Sequence, residues 1–302
     1  MKKLIAILLG VVLMASMLAV FTVSAGSNGF EDEFEPEFIN GEPYYRTYAG
    51  MYLADVLAAM PNYGGKTVHI VIGASKCSLE KTVITTPNYY RFELESGVES
   101  CLLYNYETYK VDPMITIAES AAGTVLDFPS TVTLLSRNES GDGGVIYVDA
   151  EYCTIDGGWY VDSYAKVDGG AICVNRDNCT IRNCHFKNCR ADDDGGAIYF
   201  CSGADDGVVW NCTFEGCSSD DEGNFVNGDG DTVINLCTYG DDDDYYHCEI
   251  QSFAGSVLSD GSIWIIVAVA VVVIAALVVL IVLKKKKKVI ATAGNASDSD
   301  DE

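Results

Sequence analysis

From residue 143 to about 217 the apolar positions fall in short alternating runs, each closed by glycine, asparagine or aspartate. Ala171 to Val174, Cys179 to Ile181 and Cys184 to Phe186 are three such runs in one stretch. Alternation with a period of two, bounded by turn residues, predicts β-strands. The pattern also repeats at longer range. Gly-Gly-Val-Ile-Tyr-Val begins at Gly143, Gly-Gly-Ala-Ile-Cys-Val at Gly169 and Gly-Gly-Ala-Ile-Tyr-Phe at Gly195, with a weaker copy from Gly223, so the steps are 26, 26 and 28. Asn183-Cys184-His185-Phe186 recurs at the longer of these steps as Asn211-Cys212-Thr213-Phe214, and Cys153-Thr154-Ile155 recurs at the shorter as Cys179-Thr180-Ile181. Two independent landmarks share one period.

A helical repeat needs amphipathic runs of about 10–15 residues, which are absent, and a propeller blade takes roughly 40 residues. Three strands per coil, with coils stacked about 4.8 Å apart in parallel, fit the spacing. The predicted fold is therefore all-β, a right-handed parallel β-helix of about 26 residues per coil. Ile146, Ile172 and Ile198 should form one inward column, and Phe186 over Phe214 another. The paired glycines permit a tight corner. Upstream, Ile115 to Ile117, Val125 to Phe128 and Val132 to Leu135 predict an earlier, less regular coil, and Thr67 to Ile72 a buried strand. Leu53, Val56, Leu57 and Met60 at helical spacing, stopped by Pro61-Asn62-Tyr63-Gly64-Gly65, predict a helix capping the N-terminal end.

The two ends follow different patterns. Lys2 and Lys3, an apolar run from Leu4 to Val23 and the small residues Ser24 and Ala25 give residues 1–25 the form of a signal peptide. Residues 26–44 are acidic and are expected to be a mostly disordered spacer, with Phe34 and Phe38 as the residues that could dock on the domain. The β-helix ectodomain then spans 45–250, with a linker at 251–262. Ile263 to Leu283 carries no charge and is long enough for a membrane-spanning helix. Lys284 to Lys288 place residues 284–302 in the cytoplasm by the positive-inside bias. These features predict a single-pass protein of the cell membrane, with its N-terminus extracellular and its C-terminus cytoplasmic.

Charge narrows the partners. The chain has 19 Lys+Arg and 44 Asp+Glu, a net charge of −25. Seven of the basic residues and four of the acidic ones lie in 1–25 and 263–302, so 26–262 holds 12 against 40, a net charge of −28. Such a surface repels nucleic acid and anionic lipid, and it favours divalent cations, basic partners or neutral sugars.

All 12 cysteines lie in the expected ectodomain. Cys153 with Cys179, Cys184 with Cys212, and Cys189 with Cys217 share phases of the coil, so each pair is a candidate for a disulfide or for a ladder of buried thiols. An exported location favours disulfides. Cys77 with Cys101 and Cys237 with Cys248 are further candidate pairs. Zinc fits poorly, because Cys-x4-Cys pairs so far apart match no common zinc spacing. Asp192-Asp193-Asp194 and Asp220-Asp221-Glu222 lie one coil apart at the same corner, and stacked carboxylates there could take Ca2+ or form a solvated acidic edge. Asn138-Glu139-Ser140 is a glycosylation sequon. Sequons at Asn178 and Asn211 carry inward cysteines and read as chance occurrences.

The Gly-Gly-Ala-Ile blocks, each preceded by Asn-Cys-x-Phe-x-x, resemble the repeats of polymorphic outer-membrane proteins and adhesin-like proteins. That resemblance covers residues 143–227 and implies a right-handed β-helix of the pectate-lyase-like class. Cys189 and Cys217 stand where the family has asparagine, and the autotransporter barrel of the outer-membrane family is missing. The resemblance implies an adhesin-like surface protein with a binding or structural role toward glycans, cells or the envelope. Tyr147 and Tyr199 are candidates to stack on sugar rings, and core or edge packing accounts for them equally well. The alternative is a surface polysaccharide lyase or hydrolase, for which Arg182 beside Asp177 or the Asp192 cluster is the best candidate set, with Arg176, Arg190, Lys187 and His185 nearby.

Overall fold

The computed structural model describes residues 35–47, 53–79, 81–105, 112–238, 240, 241 and 243–253. The expected signal peptide, membrane helix and cytoplasmic tail lie outside these residues. Among the described residues no helix is long and apolar enough to cross a membrane.

The described residues from 36 to 253 wind into a β-solenoid of about seven coils with about 26 residues per turn. The repeat registers are those the sequence predicts. Ile146 pairs with Ile172 and Ile172 with Ile198 in parallel, and the column continues down to Ile115 and up to Val226. Phe186 pairs with Phe214. Their rings are stacked with centroids 5.1 Å apart, Tyr160 lies 4.9 Å below and Phe225 5.2 Å above. This aromatic column fills the interior at one side, and the aliphatic column of Leu126, Ile155, Ile181, Val209 and Ile234 fills it at another. Burial of such side chains contributes roughly 1.5–3 kcal/mol each, which is what holds coils with so little other structure together.

Each regular coil has four faces rather than the three expected. In one coil these are Ile172–Val174, Thr180–Arg182, His185–Lys187 and the two-residue strand Arg190–Ala191. The last pairs with Tyr164–Ala165, which pairs with Arg137–Asn138, in a small sheet of its own. Two residues leave no room for an alternation signal, so the pattern hides this face.

The corners explain the extra turn. Four phases of the coil hold residues with left-handed backbone: Gly143, Gly169, Gly195 and Gly223; Tyr152, Asn178 and Asp206; Gly157, Asn183, Asn211 and Leu236; and Asp162, Asn188 and Gly216. Asparagine tolerates this conformation better than other residues with a side chain. At the glycine corner the second residue of the doublet is the more constrained. A Cβ on Gly170 would lie 2.1 Å from the carbonyl oxygen of Gly196 in the next coil, so two backbones touch there.

The longer step of the repeat is localised. Val174 pairs with Phe200 at the ordinary interval, whereas Thr180 pairs with Val208 at the longer one. The additional chain therefore lies in the turn between Phe200 and Val208, and the columns on either side keep their register.

The helix is Leu53–Ala59, with Leu53, Val56, Leu57 and Met60 all buried. It packs against the strand Thr82–Ile84, whose other neighbour is Ile115–Ile117, and so closes the N-terminal end of that face. Two boundaries differ from expectation. Glu37–Ile39 and Glu42–Thr47, of which 37–44 fall in the expected spacer, form an antiparallel hairpin. Its second strand pairs with Thr67–Ile72, and Phe38 sits edge-on to Tyr63. Backbone pairing with Thr67–Ile72 holds this segment on the first coil, while Phe38 stays largely exposed. At the other end the strand Tyr245–Phe253 runs on into the expected linker.

Candidate functional site

Outward residues form columns as continuous as the inward ones. One runs Tyr44, His69, Arg91, Asp127, Asp156, Arg182, Trp210 and Asn235 in successive registers. Within it Arg91 Nε bonds Asp127 at 3.0 Å, while Arg182 reaches Asp156 through Nη2 at 2.8 Å and Nε at 2.9 Å. Asn183 donates to the other oxygen of Asp156 at 2.7 Å. Arg182 is thus committed one coil back, and lies beside neither Asp177 nor the Asp192 cluster. The other basic candidates are also engaged, in one direction or the other along the solenoid. Arg176 pairs with Asp149 at 2.9 Å, Lys187 with Glu215 at 2.8 Å, and Arg190 grips both oxygens of Asp220 at 2.9 and 3.1 Å. His185 stacks on Trp159 with ring centroids 4.4 Å apart and hydrogen-bonds Thr213 at 2.6 Å.

The two acidic clusters do stack. Asp221 N donates to Asp193 O at 3.1 Å, and Glu222 N donates to Asp194 Oδ1 at 3.0 Å. Within them Asp192 and Asp220 are met by the chain's own cations. Asp192 accepts from Lys166 and from Tyr164 Oη at 2.8 Å, with Arg190 at 3.4 Å. The Lys166 bond, then that of Tyr164, holds the Asp192 carboxyl below its usual range. Among the described residues no group of three or more Asp, Glu, His or Cys is arranged to hold a metal ion. Asp194 belongs to a different device, a carboxylate ladder. Asp142 Oδ1 accepts from Asp168 N at 3.4 Å, Asp168 Oδ1 from Asp194 N at 2.9 Å, and Asp194 Oδ1 from Glu222 N. Burial raises the pKa of all three aspartates, that of Asp168 to about 6.

The cysteines are all free thiols. Cys153, Cys179, Cys184, Cys189, Cys212 and Cys217 are buried and each follows a left-handed corner residue, as do Cys237 and Cys248. In this position Sγ turns back on the carbonyl two residues earlier, as in Cys184 to Arg182 O at 3.1 Å and Cys179 to Asp177 O at 3.5 Å. Cysteine here is a small apolar filler with a weak donor that satisfies a corner carbonyl. The same-phase pairs face one another across coils, and so do Cys77 and Cys101. Cys237 faces Cys212 rather than pairing with Cys248. The Asn-Cys dipeptides are the sequence signal for this corner.

Asn138, the sequon residue, is 1 % exposed. Its Nδ2 donates to Asp142 O at 2.9 Å and its Oδ1 accepts from the backbone of Ser140 and Gly141. The nitrogen that would carry a sugar is bonded inside a turn. Tyr147 and Tyr199 are half-buried on the outward side of the Gly-Gly-x-Ile strands.

A groove of about 380 Å3 lies where the small sheet meets the His185–Lys187 face, lined by Arg137, Asp162, Tyr164, Asn188, Arg190 and Asp192, with Ser163. Arg137 lies over the Tyr164 ring, 4.7 Å from its centre. Asn188 donates to Asp162 at 3.0 Å across the corner. The opening holds both donors and acceptors, and Arg190 and Asp192 are already engaged in ion pairs with Asp220 and Lys166. Comparison with protein-family models, with curated proteins and with solved structures finds no match to this chain.

Proposed function

We propose that this chain is a cell-surface, adhesin-like β-helix protein whose role is binding or structural, with glycans, neighbouring cells or the envelope as its contacts. In this reading the solenoid is right-handed and of the pectate-lyase-like class. Residues 263–283 anchor it in the membrane with the N-terminus outside. The observation that carries a binding role is the groove at Tyr164, Asn188 and Arg190, which combines amide, guanidinium, hydroxyl and carboxylate groups in one concave site. Such a set suits the hydroxyls of a neutral or weakly charged glycan, because each sugar hydroxyl both donates and accepts. The lyase or hydrolase alternative needs a base free to take a proton. Arg182, the residue best suited to it by sequence, is instead held in a fork on Asp156.

The test is a glycan array probed with the full-length protein in detergent, with calcium and with chelator. Binding that Asn188→Ala and Arg190→Ala both abolish, with unchanged circular dichroism, supports the proposal. Release of unsaturated uronate from acidic polysaccharides, lost in Arg182→Ala, would replace it with the enzymatic reading.

A further inference from the structure

Of the ten cysteines from Cys153 onward, eight follow a left-handed corner residue, and the two that do not are Cys173 and Cys201. These two differ from the others in their place on the coil. Cys173 lies between Ile172 and Val174, both of which pair into inward columns, and its own register neighbours are the half-buried Tyr147 and Tyr199. It is therefore on the outward side of its strand. Cys201 follows Phe200 directly and begins the lengthened turn, where it is half-exposed. The sulfur atoms of Cys173 and Cys201 are 3.3 Å apart. The corner thiols, although they too face a same-phase partner across coils, turn back on backbone carbonyls, as Cys184 and Cys189 do. These two are turned toward each other.

We propose that Cys173 and Cys201 form a disulfide that staples one coil to the next on the outer surface of the solenoid. Relative to the strand register Cys201 stands two places beyond Tyr199, the partner of Cys173, so the bond is diagonal. Diagonal neighbours in a sheet are separated by about 7 Å or somewhat less at Cβ, and the departure of the chain into the turn brings Cys201 closer. Closing from contact to a bond length of about 2.0 Å requires a sulfur displacement of roughly 1.3 Å, within reach of side-chain rotation. The link would enclose slightly more than one winding of the chain.

The oxidant is a small-molecule disulfide, RSSR. The Cys201 thiolate attacks it from the solvent side, giving a Cys201–SR mixed disulfide and RS−. Cys173 then attacks the Cys201 sulfur, its S–R bond breaks, and the second RS− leaves. The two thiol protons end on the two departing thiolates, so two protein thiols and RSSR become one protein disulfide and two RSH. Burial pushes the Cys173 thiol well above its ordinary pKa, which makes it the poorer first nucleophile. Access dictates the order, since Cys201 is the half-exposed partner and Cys173 is not exposed.

The experiment uses the full-length chain in detergent, reduced and then held folded in oxidised glutathione, denatured, alkylated and mapped by mass spectrometry without reduction. The expected result is a cross-linked peptide pair joining Cys173 to Cys201, and alkylation of the other ten cysteines. Cys201→Ser should abolish that link and leave Cys173 as a free or glutathione-capped thiol. Alkylation of both Cys173 and Cys201 after oxidation, or a bond from either to a corner cysteine such as Cys184, would overturn the proposal. Because the readout is a covalent link, it is separate from the outcome of the glycan test.

Discussion

Phe186 lies nearly flat on Phe214, their planes 9° apart and their centroids 5.1 Å apart, although a full winding of the chain separates them. The contact is one unit of a column that begins with Tyr160 and ends with Phe225. Phe186 is therefore packed on both faces. Phe186→Ala should lower unfolding free energy by about 3–5 kcal/mol, the usual loss for a buried aromatic. Denaturant titration of the wild-type and variant proteins measures it, and a loss under about 1 kcal/mol would contradict the packing.

Gly170 and Gly203 should differ widely in their tolerance of alanine. At Gly170 the new methyl would meet the backbone of Gly196 and of Arg190, at 2.1 and 2.5 Å. Backbone cannot move aside without breaking the coil spacing, so Gly170→Ala should fail to give soluble protein. Gly203 has open space around it and a φ of +88°. Gly203→Ala should cost only the left-handed penalty, about 1–2 kcal/mol. Soluble yield and melting temperature distinguish the two.

Burial raises the Asp168 carboxyl to about 6 in the folded chain, against about 3.9 when unfolded. The folded state then holds the proton more tightly than the unfolded state does. Stability should be greatest below about pH 4 as far as this group is concerned, and should fall as pH rises through about 6. Asp142 and Asp194 shift the same way and reinforce the trend. Since Asp168 is only half-buried, solvent screening limits its share to about 1 kcal/mol. Asp168→Asn should flatten the pH dependence of the melting temperature across that window; an unaltered slope would rule Asp168 out as its source.

The pair Arg182 and Asp156 should show coupling of about 1 kcal/mol in a double-mutant cycle using Arg182→Ala and Asp156→Asn. Asp156 is largely sheltered and takes two bonds from the guanidinium, which favours a measurable value. The coupling should shrink in high salt, the guanidinium being well exposed.

The coil period, the inward isoleucine and phenylalanine columns and the helix at Leu53–Ala59 are all legible in the sequence, because inward positions carry one kind of residue at one phase. The fourth face is not, since Arg190–Ala191 is too short to alternate. Strand limits read from hydrophobicity fall one residue early at Cys179 and Cys184, which look apolar and strand-like but occupy corners. The charged surface follows the winding rather than the chain. Nearness in sequence matches Arg182 to Asp177 or to the neighbouring acidic cluster, whereas its partner Asp156 stands one coil back. Subtracting the period from Arg182 leads to Asp156, and adding it to Lys166 leads to Asp192. The groove depends on the small sheet, so it stays hidden until that sheet is known.

The lengthened turn between Phe200 and Val208 has a practical meaning. A winding can gain residues on one side while every stacked side chain elsewhere keeps its neighbour, so contour length and repeat phase are separable quantities. Foreign sequence grafted between Ser202 and Gly203 would hang outside the barrel of side chains, making this the natural port for a tag or a displayed peptide.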